Sequence, residues 1–195
     1  MALSIHNAAK QGNLEEVMRL IQEDPEIVDV PNENDESALH LASFNGHVEV
    51  VSYLLDHGAN IYKNGSYGGT ALLNASGMGH LEVVELLLSR KADPTICNDF
   101  GWTPLMAASN GGYVNVVRCL VRNKAVRATI DTQDRYGWTA LWIASLWDRM
   151  EVVKVLVEVG VNPMVADEDG RTPLDIAKDQ GHEECIIILE VSPRQ

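Results

Sequence analysis

One column of hydroxyl residues constrains what this chain can fold into. Ser37, Thr70, Thr103, Thr139 and Thr172 are spaced 33, 33, 36 and 33 residues apart. Other columns keep the same phase. Two residues after each opener comes Leu39, Leu72, Leu105, Leu141 or Leu174, and five after it comes Ala42, Ala75, Ala108, Ala144 or Ala177. Nine after it stand Gly46, Gly79 and Gly112, then Asp148, then Gly181. Seventeen after it comes Leu54, Leu87, Leu120, Leu156 or Leu189. A period of roughly 20–50 residues marks a stacked repeat architecture, and missing it would miscall the whole fold.

Each unit reads as two short helices. The opener sits where an N-cap is wanted, since a Ser or Thr oxygen accepts from the free N–H groups of a helix start. Leu39 and Ala42 share one face of the first helix. Gly at the ninth position allows a tight turn. The second helix carries Val50-Val51 and Leu54-Leu55, then Val83-Val84 and Leu86-Leu87-Leu88, at i, i+3, i+4 spacing. Gly, Asn and Asp fill the connection to the next unit.

These residues resemble the ankyrin repeat family. Thr103-Pro104-Leu105 and Thr172-Pro173-Leu174 match its opening motif, and Ser37-Ala38-Leu39-His40-Leu41-Ala42 is a variant of it. Gly46-His47, Gly79-His80 and Gly181-His182 match its inter-helix turn, and Gly58-Ala59-Asn60 and Lys91-Ala92-Asp93 its exit. A weaker copy begins the chain, where Ile5-His6-Asn7-Ala8 aligns with Leu39 to Ala42. The expectation is an all-α ankyrin-repeat solenoid with short β-hairpin loops. It forms a single domain over 1–195, with repeats at about 1–33, 34–66, 67–99, 100–135, 136–168 and 169–191. Such repeats contact only their neighbours and stack into a curved body with a concave face.

The resemblance implies that binding uses positions −4, −3, −1, +7 and +8 from each opener. Seven of the 11 aromatics (2 Phe, 5 Tyr, 4 Trp) fall on these 25 positions, where random placement puts about 1.4, from 11 × 25/195. The seven are Phe44, Tyr67, Phe100, Trp102, Tyr136, Trp138 and Trp147. Exposed aromatics are favoured at interface hot spots. With Met78, Arg135 and Leu146 they make a candidate partner-binding groove. Glu33 and Glu36 flank it on one side, Asp169 and Asp179 on the other. That combination suits a peptide or loop carrying Lys or Arg. The competing expectation is that the aromatics pack between adjacent hairpins. Trp142 takes the motif's His position, which points to packing between repeats.

No catalytic set converges. The resemblance assigns His6, His40, His47, His80 and His182 to local hydrogen bonds, and no two have the spacing of a helical zinc pair. Cys119 and Cys185 fall in apolar columns, Cys97 in a hairpin. Asn64-Gly-Ser-Tyr-Gly-Gly69 lacks the Lys-Ser/Thr end of a P-loop. No catalytic residue, cofactor or metal is expected, and the function class is a non-enzymatic adaptor or scaffold. An inhibitor or regulatory subunit docking a folded enzyme is the rival.

The net charge of −13 disfavours nucleic acid and anionic membrane as partners. No run of apolar residues reaches membrane-spanning length, and Met1 to His6 does not read as a signal peptide. Three separated cysteines suit a reducing compartment, so a monomer in the cytoplasm is expected, with the nucleus as the alternative. A middle zone is basic: Arg90, Lys91, Arg118, Arg122, Lys124 and Arg127. A solvated face matched to helix dipoles explains it, with an acidic-partner site as the alternative.

Three departures from the period stand out. Extra residues between Asn123 and Ile130 lengthen one loop, which is expected to tilt the stack or add a contact. Asp148-Arg149 replaces Gly-His, and a remodelled turn is expected beside Trp147. Ile187 is apolar at a normally solvated position and offers an end for a partner or a longer tail.

Overall fold

The repeated openers act as helix caps. In the computed structural model, which describes residues 4–192, the hydroxyls of Thr70, Thr103, Thr139 and Thr172 accept the N–H of Leu73, Met106, Trp142 and Asp175 at 3.1–3.3 Å. Ser4 caps α1 in the same way, whereas the Ser37 hydroxyl meets the His40 ring at 2.9 Å, and six helices line the inner face: α1 (Ile5–Lys10), α3 (Ala38–Phe44), α5 (Ala71–Met78), α7 (Pro104–Gly111), α10 (Ala140–Leu146) and α12 (Pro173–Gln180). Each turns back into an outer helix: α2 (Leu14–Glu23), α4 (Val48–Asp56), α6 (Leu81–Ser89), α8 (Val114–Leu120), α11 (Met150–Glu158) and α13 (Glu183–Val191). A further helix, α9 (Lys124–Ala128), follows α8. No strand forms among the described residues, and the loops are tight hairpins, each tip closed by two backbone bonds such as Asn98 N–H to the Trp102 carbonyl and Gly101 N–H to the Asn98 carbonyl.

The core is the set of columns predicted above. Leu39, Leu54, Leu72, Leu87, Leu120, Leu141 and Leu156 are fully buried, and Ala42, Ala75, Ala108, Ala144 and Ala177 reach zero exposure. Ala at that position lets neighbouring inner helices approach closely. Each buried aliphatic contributes roughly 1.5–3 kcal/mol.

The turn between paired helices ties each repeat to the one before it. His47 Nε2 donates to the Lys10 carbonyl at 3.0 Å, His80 Nε2 to Phe44 at 3.0 Å, and His182 Nδ1 to Ser145 at 2.9 Å. These carbonyls end the preceding inner helix and have no intrahelical partner. The expected remodelling at Asp148-Arg149 does not occur. Arg149 Nε donates to the Asn110 carbonyl at 3.0 Å, and Asp148 adopts the left-handed backbone (φ 52°) that glycine takes in sister turns. A guanidinium N–H thus does the work of an imidazole N–H. Tyr113 has no such donor. Its ring lies over Gly79 and Gly111, where a Cβ would come within 2.4 and 2.1 Å.

The lengthened loop is ordered as α9. The Asn123 side chain caps it through the Ala125 N–H (2.8 Å), and Val126 is buried against the core. The insertion is a mounted turn rather than a free loop.

Lys91 occupies the left-handed region (φ 68°) where Gly58 and Gly160 stand in other repeats. A Cβ costs roughly 1–2 kcal/mol there, and glycine gives back part of that gain in chain entropy. Lys91→Gly is expected to stabilise the fold by about 0.5–1 kcal/mol in denaturant titration; a loss of stability would show that the Lys91 side chain offsets the strain.

Candidate functional site

The hairpin tips form one wall of the concave face, and a side-chain acceptor shapes them. Asn98 Oδ1 accepts the N–H groups of Phe100 and Trp102, at 3.0 and 2.9 Å. Asp134 Oδ1 does the same for Tyr136 and Trp138, both at 2.9 Å, and Asp167 Oδ1 for Asp169 and Arg171, at 3.0 and 2.8 Å. Successive tips are cross-linked. The N–H groups of Asp99, Arg135 and Glu168 donate to the carbonyls of Tyr67, Phe100 and Tyr136 of the preceding tip, at 2.9, 3.2 and 3.2 Å.

The second tip departs from this scheme. Gly65 stands where the acceptor belongs, because a Cβ there would lie 2.9 Å from the buried His40 ring. Tyr67 and Gly68 both take left-handed backbone (φ 53° and 72°), and the Ser66 hydroxyl donates to the Asn34 carbonyl at 2.6 Å. This strained turn holds Tyr67 71% exposed.

The ten predicted residues divide into two sets. Phe44, Tyr67, Met78, Arg135, Tyr136 and Trp147 are exposed, whereas Phe100, Trp102, Trp138 and Leu146 are half-buried. Trp102 Nε1 donates to Asp134 Oδ2 at 2.9 Å, so it braces its own tip against the next. Trp138 stacks on the buried Trp142 with ring centres 4.5 Å apart and planes 9° apart. Trp142 Nε1 reaches the Arg171 carbonyl at 3.2 Å, packing between repeats. Tyr136 tilts against Trp138 at 5.2 Å, and Tyr67 against Phe100 at 5.6 Å. The Arg135 guanidinium lies 4.3 Å over the Phe100 ring and donates to the Asp99 carbonyl at 2.6 Å. The cation face of Phe100 is therefore filled from within.

Phe44, Met78 and Trp147 lie at the C-terminal ends of α3, α5 and α10 and form a second row. The inner helices between the rows span eight residues in α5 and α7, or about 12 Å. Their partly exposed surface includes small or polar residues: Asn74 and Gly77 in one repeat, Asn110 and Gly111 in the next. At the N-terminal end two shallow clefts adjoin through Asn34 and Glu36. The one nearer α1 is lined by Glu33 and His6 and measures about 370 Å³. The other is lined by Asp35, Ser66 and Tyr67 and measures about 550 Å³.

Titratable groups elsewhere serve the fold. His40 Nδ1 accepts the Ser37 N–H at 3.2 Å, so Nε2 carries the proton that it donates to the Lys63 carbonyl at 2.9 Å. Burial holds its pKa below the usual histidine range. Cys185 is buried with its thiol 3.4 Å from Asp148 Oδ1, and burial pushes its pKa up to about 12. Burial likewise raises Cys119. Among the described residues, no cluster of His, Cys, Asp and Glu is suited to a metal ion, and no helix is long and apolar enough to cross a membrane.

Asp134, which accepts from Tyr136, Trp138 and Trp102, lies outside the positions to which the family resemblance points. Its signal was readable: Asn32, Asn98, Asp134 and Asp167 stand five residues before their openers, where Asn or Asp can hold a turn through its side chain.

Comparison with known proteins agrees with this geometry. A family model described as "Ankyrin repeats (3 copies)" matches residues 5–98, 90–167 and 128–191. The chain is 46% identical to alpha-latrotoxin-Lh1a of Latrodectus hasselti over 175 residues, covering 90% of this chain and 13% of the toxin. It is 40% identical over 55 residues to the E3 ubiquitin-protein ligase Ufd4 of Drosophila melanogaster, covering 27% of this chain and 2% of the ligase. It thus spans only a small part of either relative's length. Among solved structures, an ankyrin repeat domain from Acinetobacter baumannii AYE superposes with a TM-score of 0.84 at 27% identity, covering 98% of both chains. A further ankyrin repeat protein gives 0.87 at 28% identity, covering 99% of both. The chain belongs to the ankyrin repeat family. Ankyrin repeats generally mediate protein–protein interaction, and the fold is typically a non-enzymatic module.

Two outcomes test the bracing roles. Trp102→Phe keeps the ring but strands one oxygen of the buried Asp134, and is expected to cost about 1–3 kcal/mol in thermal or denaturant unfolding. His40 has a folded pKa below its unfolded value, so the unfolded chain binds the extra proton. Stability should therefore be full above about pH 6.5 and fall as the pH drops through that value toward the folded pKa. The slope should flatten in His40→Asn, measured by urea midpoints across the range.

Proposed function

We propose that this chain is a non-catalytic adaptor that binds a peptide or loop of another protein on its concave face. One observation carries the reading. Ten large hydrophobic side chains are exposed among the described residues, and five of them (Phe44, Tyr67, Met78, Tyr136 and Trp147) fall on the 25 positions that the family resemblance assigns to binding. Scattered apolar residues on a surface need no explanation, whereas a contiguous set in register marks an interaction site.

Tyr67 and Tyr136 stand out from one wall and Trp147 from the other. Rigid aromatics give large contact area with little entropy to lose. The Glu33, Asp35 and Glu36 carboxylates at one end favour a partner segment with Lys or Arg there. Arg135 occupies the middle of the hairpin wall, which favours an acidic or neutral residue opposite it. With Asp169 and Asp179 exposed at the other end, the partner segment is therefore expected to carry its cations toward its ends.

Peptides selected from a random display library on the wild-type protein provide the test. A double variant, Tyr136→Ala/Trp147→Ala, removes two exposed rings and leaves both partners of the Trp138–Trp142 stack in place, Tyr136 meeting only the outer edge of that pair. It should keep its melting temperature and lose about tenfold or more in affinity for each selected peptide, the weight of one hot spot. Unchanged affinity would refute the groove as the binding face.

A further inference from the structure

The outer corner where α8 meets α9 breaks the charge pattern of the whole molecule. The chain has 28 Asp and Glu, yet residues 100–130 contain none, where even spacing would put about 4.5, from 28 × 31/195. The same stretch holds Arg118, Arg122, Lys124 and Arg127, all exposed.

Helix dipoles account for part of this set. Arg118 and Arg127 stand in the last turns of α8 and α9, where a cation is favoured. Lys124 is the first residue of α9, where a cation opposes the dipole. Internal pairing accounts for little more. Arg118 meets Glu158 at 3.9 Å, with both side chains about half exposed. Arg122, Lys124 and Arg127 enter no ion pair among the described residues. Asp131, the first acid after the stretch, is engaged elsewhere, its two oxygens accepting the Asn162 N–H at 3.1 and 3.2 Å.

The mount is rigid. Val126 is 3% exposed and anchors α9, and Arg127 Nε donates to the Val121 carbonyl at 2.7 Å. Thr129 Oγ1 closes the turn on the Ala125 carbonyl at 3.0 Å. The residues that lengthen the 33-residue period to 36 thus carry Lys124 and Arg127 on an anchored helix that follows Arg122 in the chain, and an ordered backbone loses less freedom on binding.

We propose that the α8–α9 corner is a docking surface for an acidic, carboxylate-rich protein segment, separate from the concave groove. Four exposed cations on one outer corner, three of them outside any ion pair among the described residues, suit a short run of Asp or Glu. Nucleic acid fits worse. No exposed aromatic lies between Tyr67 and Tyr136 in the chain to offer a stacking platform, and the −13 net charge repels a long phosphate backbone. A second copy fits worse for the same reason, since two bodies of −13 repel one another.

Titration of the isotope-labelled protein with hexaglutamate, followed by amide NMR shifts, tests the proposal. At low salt the shifts should centre on α8 and α9, saturate, and fade as salt is raised. Affinity should drop severalfold in Arg122→Ala/Lys124→Ala, two side chains that make no ion pair. It should stay unchanged in Lys10→Ala, and in Tyr136→Ala/Trp147→Ala, which separates this surface from the groove. Absent shifts, shifts centred elsewhere or full binding by the double variant at the corner would overturn it. So would tighter binding of an oligothymidylate of equal charge, which would make the surface a nucleic-acid site.

Discussion

The curved face depends on how each inner helix ends. A helix leaves its last carbonyls without partners, and a short helix leaves most of its carbonyls in that state. Here the partner is a side chain of the following repeat: His47, His80, Arg149 or His182. One hydrogen bond therefore caps a helix and sets the register of the next unit. Burial of the Leu and Ala columns supplies the attraction between repeats, but apolar contact is not directional. The polar clamp fixes how far each unit turns against its neighbour, and so where the hairpin tips stand. The third repeat lacks the clamp, since Tyr113 has no ring N–H. There the contact is a tyrosine ring seated on two glycines, Gly79 and Gly111.

Much of this was legible because a periodic pattern reports position and chemistry together. The caps, the buried columns and the six helix pairs follow from five columns read in phase. Arg149 was misread because the motif was matched by residue type. What the site needs is an N–H at the right reach, and a guanidinium meets that need. α9 was read as extra loop because five residues carry too little periodicity to show a helix. Its one buried side chain, Val126, is evident only once the neighbouring repeat is in place. Cys119 and Cys185 behaved as their columns implied, partly and fully buried.

Register placed the aromatics near the groove but could not say which of them face it. Trp102 and Trp138 stand one residue before their openers and turn toward the next tip or the buried Trp142. Tyr67, Phe100 and Tyr136 stand three before, and Tyr67 and Tyr136 point outward. Phe100 differs because a neighbouring tip places Arg135 on its ring. The separation rests on long-range partners, Asp134 above all, which pair residues about thirty apart in sequence. It also changes the basis of the cation argument. The Trp cluster around Trp142 is an internal stack, and the exposed rings available to a partner's cation are Phe44, Tyr67, Tyr136 and Trp147.

A solenoid allows its repeats to diverge independently because each one answers only to its neighbours. That property explains how one chain can be strongly acidic at both ends and free of acids from residue 100 to residue 130. In a globular core with long-range contacts, emptying 31 consecutive residues of carboxylates would disturb pairings across the molecule. Here the effect stays local: Arg118 meets Glu158 of the next repeat, and the cations beyond it face solvent. The insertion reinforces this, since Val126 binds α9 to its own repeat while Lys124 and Arg127 project outward. Charge on the outer helices and aromatics on the inner face are thus separable variables of the same repeat, and a partner could engage both only by wrapping from one face to the other.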